Sequence, residues 1–473
     1  MSEKSRSEQS KSSLTVVFAI VNICKSATVT MSDTNDSDLL EFVSHPKYLL
    51  RSQESMGVNH PRFGDLSHTS AVRMPAEGLR PKDGFEEEQD IIINLTVTGR
   101  CYARCEGCIN SAITFASDEP RNSSMAHLES DPERDASMVI RLAQRHPSSV
   151  VTLAFYGGEP FLATDKMEKV RLILAESEIK NLVRYMVYTN GELLIPALDR
   201  YPSLMSNMWL YSLSIDGDEE QHRLVRPGTD LNLIIANLRK LRSAYQGNVL
   251  FWSTLREQQS LLKCFNKFLE LYQEGLVNHF FWHWADTKEP YKDFAGYIKE
   301  YGAELEEVTE RYVEKALQGE ILPIAHLNEL ILYLITGKER GHTSCGVELA
   351  RNYDIMGGEI HACADLPPSV GGFIGSDGSD FNEPDFSRLV EYKDWLRCHE
   401  CGVYPYCGGR CPVQAISGSP ERTLQICQLM RLHVGIVRER IDDISTALDQ
   451  SGMSLQDLYD SSAYLTRYTD VVP

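Results

Sequence analysis

The run Asp90-Ile-Ile-Ile-Asn-Leu-Thr-Val-Thr98 leads through Gly99-Arg100 into Cys101-Tyr-Ala-Arg-Cys105-Glu-Gly-Cys108. The first half reads as a strand, because a nearly unbroken series of β-branched and leucine side chains fits a ribbon buried on both faces. The second half places three thiols on the loop that follows. Three thiolates on one loop can hold three irons of a cubane cluster and leave the fourth iron open to a small molecule. A zinc knuckle is the competing reading. It needs a fourth Cys or His nearby to close a tetrahedron, and the next histidine is His127.

Outward from this stretch the chain alternates strand-like and helical periods. Strand-like runs cover 90–98, 150–156, 183–189, 210–215, 249–254 and 280–284, with helical patterns at 136–146, 166–178, 230–245 and 259–274. Two further helices are expected over 291–319 and 324–337. Six β-α repeats with apolar strands predict a parallel sheet covered by helices. Six strands are too few for a closed eight-stranded barrel, so the expected fold class is α/β, an open partial (β/α)6 TIM-like barrel. In such barrels the chemistry collects at the carboxyl ends of the strands.

Short polar segments stand at those ends. Gly157-Gly158-Glu159-Pro160 follows the second strand; its glycines permit a close backbone approach, and its peptide and carboxylate oxygens can accept hydrogen bonds from an ammonium group. A plain strand-to-helix turn with proline at the helix start is the bland alternative. Thr189-Asn190-Gly191 ends the third strand and Ser214-Ile215-Asp216-Gly217 the fourth, each alone readable as a cap or turn. His222 and Arg226 follow. His283 reads as a core histidine packed between Trp282 and Trp284, with His283 or Asp286 the substrate-facing alternative. Cys264 falls on an apolar helical face and reads as buried and inert.

Taken together, these motifs resemble the radical S-adenosylmethionine enzymes, whose signature is Cys-x3-Cys-x2-Cys. The resemblance implies that Cys101, Cys105 and Cys108 hold a [4Fe–4S] cluster whose open iron chelates the amino and carboxylate groups of S-adenosylmethionine. It implies further that Gly157, Gly158, Glu159 and Pro160 bind the methionine amino group, that Asn190 belongs to the cofactor site, and that Ser214 and Asp216 face the ribose or carboxylate. Arg226 would pair with the methionine carboxylate. One departure is Gly107, where the family usually carries an aromatic residue.

A second cysteine system begins at Cys345 and continues with Cys363, Cys398, Cys401, Cys407, Cys411 and Cys427. Its compact centre, Cys398-x2-Cys401-x5-Cys407-x3-Cys411, is metal-ligand spacing, and a pair of zinc sites is the plain alternative. The whole resembles the SPASM domain of radical S-adenosylmethionine enzymes that mature peptides and proteins. That likeness implies two auxiliary iron–sulfur clusters, one on Cys398, Cys401, Cys407 and Cys427, the other on Cys345, Cys363 and Cys411 with an open iron or a non-cysteine fourth ligand.

Composition narrows the class. A chain of 473 residues with 42% hydrophobic content has enough apolar material for a large core, and a net charge of −20 without a basic stripe opposes nucleic-acid binding. Twelve cysteines grouped at metal spacing point to reduced ligands and a cytoplasmic protein. The apolar stretch 14–24 is too short to span a bilayer, and Met31 reads as the start of the protein proper, with 1–30 upstream of it. The expected organisation is a partly disordered leader over 1–89 with a short helix at 38–50, a barrel over 90–340, a cysteine-rich cluster domain over 341–448 and a tail over 449–473. A single amphipathic helix is expected at 421–448.

The expected activity is reductive cleavage of S-adenosylmethionine to a 5′-deoxyadenosyl radical and oxidative modification, such as a cross-link, of a ribosomally made peptide or protein. A flavodoxin or ferredoxin would supply electrons. Formylglycine maturation of the sulfatase type ranks second, because Glu348, Asn352 and Asp354 stand where that type has an additional cysteine. Epimerisation ranks low for want of a placed donor cysteine. A non-catalytic iron–sulfur or zinc scaffold, or an electron-transfer protein, is the alternative of another class.

Overall fold

The computed structural model describes residues 59–66, 72–74, 78–79, 85, 90–109, 127–366, 372–382 and 385–469, all within the unit Leu49–Pro473. The expectations for 14–24, Met31 and 38–50 lie outside the described residues. Six parallel strands form the barrel: β1 (Asp90–Thr98), β2 (Val150–Gly157), β3 (Val183–Thr189), β4 (Met208–Ser214), β5 (Asn248–Leu255) and β6 (His279–Trp284). Each pairs in parallel register with the next. The covering helices include α1 (Pro132–Arg145), α2 (Thr164–Glu176), α3 (Leu231–Arg242) and α4 (Leu261–Gln273), followed by α5 (Phe294–Leu317) and α6 (Ala325–Thr336). The open partial barrel is therefore present, with strand bounds close to those the apolar runs predict. Start signals are local: Asp131 caps α1 by accepting from the Arg134 N–H, with proline in its first turn, and Ser260 caps α4 through the Lys263 N–H.

Alternate residues on each strand face opposite ways. Ile93, Leu95, Phe155, Val187, Leu213, Phe251 and Trp282 pack outward under the helices. The inward face changes character along the strand. Ile92, Ala154, Met186, Leu210, Leu250 and Phe281 make an apolar lower layer. Above them Asn94, Thr96, Tyr156, Tyr188, Ser212, Trp252 and Thr254 line a cavity at the carboxyl ends. The lower layer fills the lumen by burial, and the upper layer leaves room for a polar guest.

Beyond the barrel, β7 (Asn352–Met356) pairs in parallel with β1 and continues antiparallel into β8 (Glu359–His361) and β9 (Phe373–Ser376). The cysteine-rich segment is thus stitched to the barrel sheet at the β1 edge. The helix expected over 421–448 is two helices, α7 (Pro420–Glu439) and α8 (Ile441–Gln450), broken at Arg440. Nor is α7 two-faced: every residue from Arg422 to Val437 except Cys427 is buried, because α7 runs beside α5 and α6. Tyr301 on α5 meets His433 on α7, hydroxyl to Nδ1, at 2.9 Å.

The described residues at both ends of the chain carry structure. Described parts of the 1–89 leader are packed: Leu66 and Val72 are buried, Met74 N–H donates to the Gly402 carbonyl at 2.7 Å, and Arg62 pairs with Glu306. They lie along the cysteine-rich segment because that segment leaves backbone acceptors and apolar surface that water would otherwise cover. The 449–473 tail folds as well, into Leu455–Ser461 and Ala463–Tyr468. Leu465 and Tyr468 join the apolar lower layer and close the lumen from below. Tyr188 donates to the Tyr468 carbonyl at 2.9 Å, Thr466 to Glu329 at 2.9 Å, and Arg467 to Asn352 at 2.8 Å. Tyr468→Ala should cost about 3–5 kcal/mol, as deletion of a buried aromatic ring does, read as a lower urea midpoint. Tyr468→Phe should restore most of it, and a loss below about 1 kcal/mol for the alanine variant would mean that the tail does not seal the barrel.

Candidate active site

The cysteine loop is pinned by its backbone. Arg104 N–H donates to the Pro227 carbonyl at 2.8 Å, Glu106 N–H to the Val225 carbonyl at 2.9 Å, and Tyr102 hydroxyl to Asn190 Oδ1 at 2.9 Å. Gly107 takes a left-handed φ of 61°, a conformation that a bulky side chain adopts only with strain, which accounts locally for the missing aromatic. Cys101, Cys105 and Cys108 line the same cavity as the polar strand ends. Burial pushes the Cys101 thiol up to about 11, and the charges of Glu159, Cys105 and Cys108 push the same way. Binding of a metal by a thiol set releases the thiol protons.

Gly157-Gly158-Glu159 docks on the start of that loop. Gly158 N–H donates to the Thr98 carbonyl at 2.9 Å and Glu159 N–H to the Arg100 carbonyl at 2.8 Å. A Cβ on Gly157 would sit 2.2 Å from the Thr98 oxygen, and one on Gly158 2.1 Å from the Arg100 oxygen. The glycines therefore serve an approach to the neighbouring backbone, where the sequence suggested an approach to a ligand. Pro160 is buried and opens the short helix Pro160–Ala163. Glu159 is buried, and its oxygens accept from Thr189 Oγ1 at 2.8 Å, Asn190 N–H at 2.9 Å and Phe161 N–H at 3.2 Å. Its carboxylate is thus largely taken up in joining the second strand end to the third. Burial pushes Glu159 up to about 7 against those hydrogen bonds.

The folded protein holds this proton to higher pH than the unfolded chain, so the stability it contributes is lost as pH rises from about 4.5 through 7. The stability of wild type relative to Glu159→Gln should fall across that window by on the order of 3 kcal/mol, measured by urea unfolding of cofactor-free protein. A flat difference would contradict the burial argument. Within the same wall Asn190 Nδ2 is buried and has no hydrogen-bond partner among the described residues, a donor left over for a guest.

At the fourth strand end Ser214 lines the cavity, whereas Asp216 does not face it. Asp216 is fully buried and accepts from Arg226 Nε at 2.6 Å, Arg256 Nη1 at 3.0 Å and the Thr254 N–H at 2.8 Å. The expected contact between Asp216 and a ribose is corrected accordingly: two guanidiniums and a peptide saturate it. Burial works to raise its proton affinity, but Arg226 and Arg256 outweigh that and hold the carboxyl below its ordinary value. Arg226 Nη1 reaches Cys105 Sγ at 3.8 Å, and Arg256 Nε donates to the Glu106 carbonyl inside the cysteine loop. His222 accepts the Asp216 N–H on Nδ1 at 3.2 Å. Burial pushes the imidazole down to about 4, so it stays neutral and structural. Arg256 was not singled out from the sequence. It stands just past the end of β5, where the strand-end rule would have found it.

His283 is corrected too. Trp282 and Trp284 point outward, while His283 points into the cavity, bonded Nε2 to Thr254 Oγ1 at 2.9 Å and edge-on to Trp252. Burial pushes it down to about 4. Asp286 also lines the cavity, paired with Arg410 at 2.8 Å. Cys264 is sealed at 0% exposure, as expected.

The seven C-terminal thiols fall into two groups. Cys398, Cys401, Cys407 and Cys427 ring one cavity. Cys345 and Cys363 open onto the large cavity of the cysteine loop, and Cys411 lines both. Burial pushes Cys407 up to about 12, with Cys427 and Cys401 adding to it; Cys411 is raised by burial and then by Asp286, Cys345 and Cys363. Among the described residues no three Cys, His, Asp or Glu side chains converge on a point as they would around one ion; each thiol set instead encircles space. Glu348, one of the residues standing where the sulfatase type has an additional cysteine, is committed to Lys393 at 2.7 Å and to Thr343 Oγ1 at 2.6 Å.

The fold is an open partial (β/α)6 barrel whose first strand leads into a loop of three cysteines at the mouth of the cavity. Residues 95–255 match the family model described as the Radical SAM superfamily. Domains of that superfamily work with a [4Fe–4S] cluster and S-adenosylmethionine. Among solved structures, a polyhistidine-tagged anSMEcpe with bound AdoMet is 18% identical at a TM-score of 0.60, covering 76% of this chain and 99% of that one. Native anSMEcpe with bound AdoMet and Cp18Cys peptide is 19% identical at 0.56, with the same coverage. At this identity the likeness is one of fold. No curated protein matches the chain. Among the described residues no helix is long and apolar enough to cross a membrane.

Proposed function

We propose that this protein is a cytoplasmic radical S-adenosylmethionine enzyme with a SPASM-type cluster domain that oxidatively modifies a ribosomally made peptide or protein, forming a cross-link or similar bond. The observation that carries the reading is that Cys101, Cys105 and Cys108 share one cavity with Cys345, Cys363 and Cys411. The first three thiols would hold the open cluster, and S-adenosylmethionine bound beside it would supply a 5′-deoxyadenosyl radical on one-electron reduction. The chain's own residues do the rest. Asn190 offers its spare amide N–H, the Gly157–Glu159 turn presents backbone oxygens toward an ammonium group, and Arg226 and Arg256 give a positive wall for a carboxylate. Tyr156, Tyr188 and Trp252 exclude water from the lumen and give a substrate side chain an aromatic surface.

A peptide substrate is supported by anSMEcpe, which has been solved with a bound peptide. A formylglycine-type reaction is the weaker reading, since Glu348 is tied to Lys393 and Thr343. Cys264 lies sealed under Gln221 Nε2 at 3.3 Å and can donate no hydrogen to a substrate, which disfavours epimerisation. A flavodoxin or ferredoxin would deliver the electrons, and a chain of net charge −20 does not suit nucleic acid. The test is anaerobic reconstitution of the full chain followed by iron and sulfide counting and an assay for 5′-deoxyadenosine with S-adenosylmethionine and a low-potential reductant. Zinc in place of iron, or clusters without nucleoside product, would overturn the proposal in favour of a scaffold.

A further inference from the structure

Helix α7 carries a buried cation that the activity above does not use. Arg431 is 4% exposed and lines the cavity ringed by Cys398, Cys401, Cys407 and Cys427. It stands four residues after Cys427 on one helix, so both face the same way. Its Nη1 donates to the Leu66 carbonyl at 2.9 Å. Its Nε–H is buried and has no hydrogen-bond partner among the described residues, and no described carboxylate lies within ion-pair distance of it. A buried guanidinium with no counter-charge is strongly disfavoured. The groups that face it are the cysteines of that cavity, Cys401, Cys427 and Cys407, whose sulfurs become its counter-charge once they ligate a metal.

The other cysteine trio has different company. Cys345, Cys363 and Cys411 share their cavity with Asp354 and Asp365, whereas Arg410, the second cation lining the cavity of the other four cysteines, is already matched by Asp286. The potential of an iron–sulfur centre is set by net charge, by hydrogen bonds to sulfur and by exposure. A cation and an N–H aimed at sulfur favour the added electron, and carboxylates oppose it.

Resting on the cluster reading above, we infer that Arg431 is a positioning residue that donates its spare Nε–H to the sulfurs held by Cys398, Cys401, Cys407 and Cys427 and makes that centre the more easily reduced of the two auxiliary ones, hence the electron sink. The step it serves is one-electron. The organic radical left by hydrogen abstraction loses one electron and one proton as its new bond forms. The electron passes to this centre and on to a soluble flavin or iron–sulfur carrier, and the proton passes to water.

The experiment is a potentiometric titration, followed by electron paramagnetic resonance, of the reconstituted full chain with counted iron. In Arg431→Met one auxiliary signal should become at least tenfold harder to reduce, which is about 59 mV for one electron. The other two signals should stay in place, and Arg431→Lys should recover most of the shift. Fully loaded Arg431→Met with unchanged potentials, or with all three shifted equally, overturns the inference. Should the methionine variant load poorly, Arg431→Gln keeps a donor for the Leu66 carbonyl and carries the same expectation. If both neutral variants fail to load while the lysine variant loads, the charge is needed to hold the centre, as inferred; if lysine fails too, the role is merely structural and the inference falls. A wild-type protein lacking the third centre altogether would instead defeat the functional proposal.

Discussion

Cys105→Ala should reduce 5′-deoxyadenosine formation to the level of protein-free controls, whereas Cys401→Ala should keep cleavage within about tenfold of wild type, or ~1.4 kcal/mol in barrier, while abolishing modified peptide. The two thiols differ in place. Cys105 sits on the loop that faces the barrel cavity, 3.8 Å from Arg226 Nη1. Losing it leaves Cys101 and Cys108 to hold three irons. Cys401 belongs to the separate cavity under α7, so its loss leaves the cofactor walls intact and removes the acceptor for the electron. The measurement pairs nucleoside quantification with mass spectrometry of the peptide under anaerobic conditions. Equal loss of both products in both variants would refute a division of labour between the two cysteine systems.

Asp216→Asn should destabilise the protein by about 3–5 kcal/mol, the cost of leaving buried charge uncompensated. Arg226 and Arg256 are each less than a tenth exposed, and Asp216 is the carboxylate that both meet. Removing its charge sets two guanidiniums side by side in a dry site. The damage should travel to the cysteine loop, because Arg256 holds the Glu106 carbonyl and Arg226 touches Cys105; iron content after reconstitution should fall with the unfolding midpoint. Glu274→Gln, which breaks the exposed Arg239–Glu274 pair, is the control and should cost under about 1 kcal/mol. A similar small loss for Asp216→Asn would show that the buried trio is not what braces the loop.

Much of this site was legible in order along the chain. The strands could be read because parallel strands are buried on both faces and so spell nearly continuous apolar runs, as β1 does from Ile91 to Val97 apart from Asn94 and Thr96. The cysteine sets could be read because ligands to one centre recur at short, fixed intervals. Roles were less legible than places. Glu159 stands where expected, yet its oxygens face Thr189 and Asn190. His283 alternates with tryptophans in the sequence, and for that very reason points away from them.

The amino-acid sequence by itself determined the repeating β-α order, the polar turns at the strand ends and the grouping of ten cysteines, because each follows from a local period or a local spacing. Only the tertiary structure decided which groups meet. Arg256 reaches Asp216 across 40 positions, Arg431 reaches Leu66 across 365, and Leu465 and Tyr468 close the barrel beneath β1. Such contacts join segments whose own patterns are ordinary; what brings them together is the need of a buried charge or a half-filled lumen for a partner that no neighbour in sequence can supply.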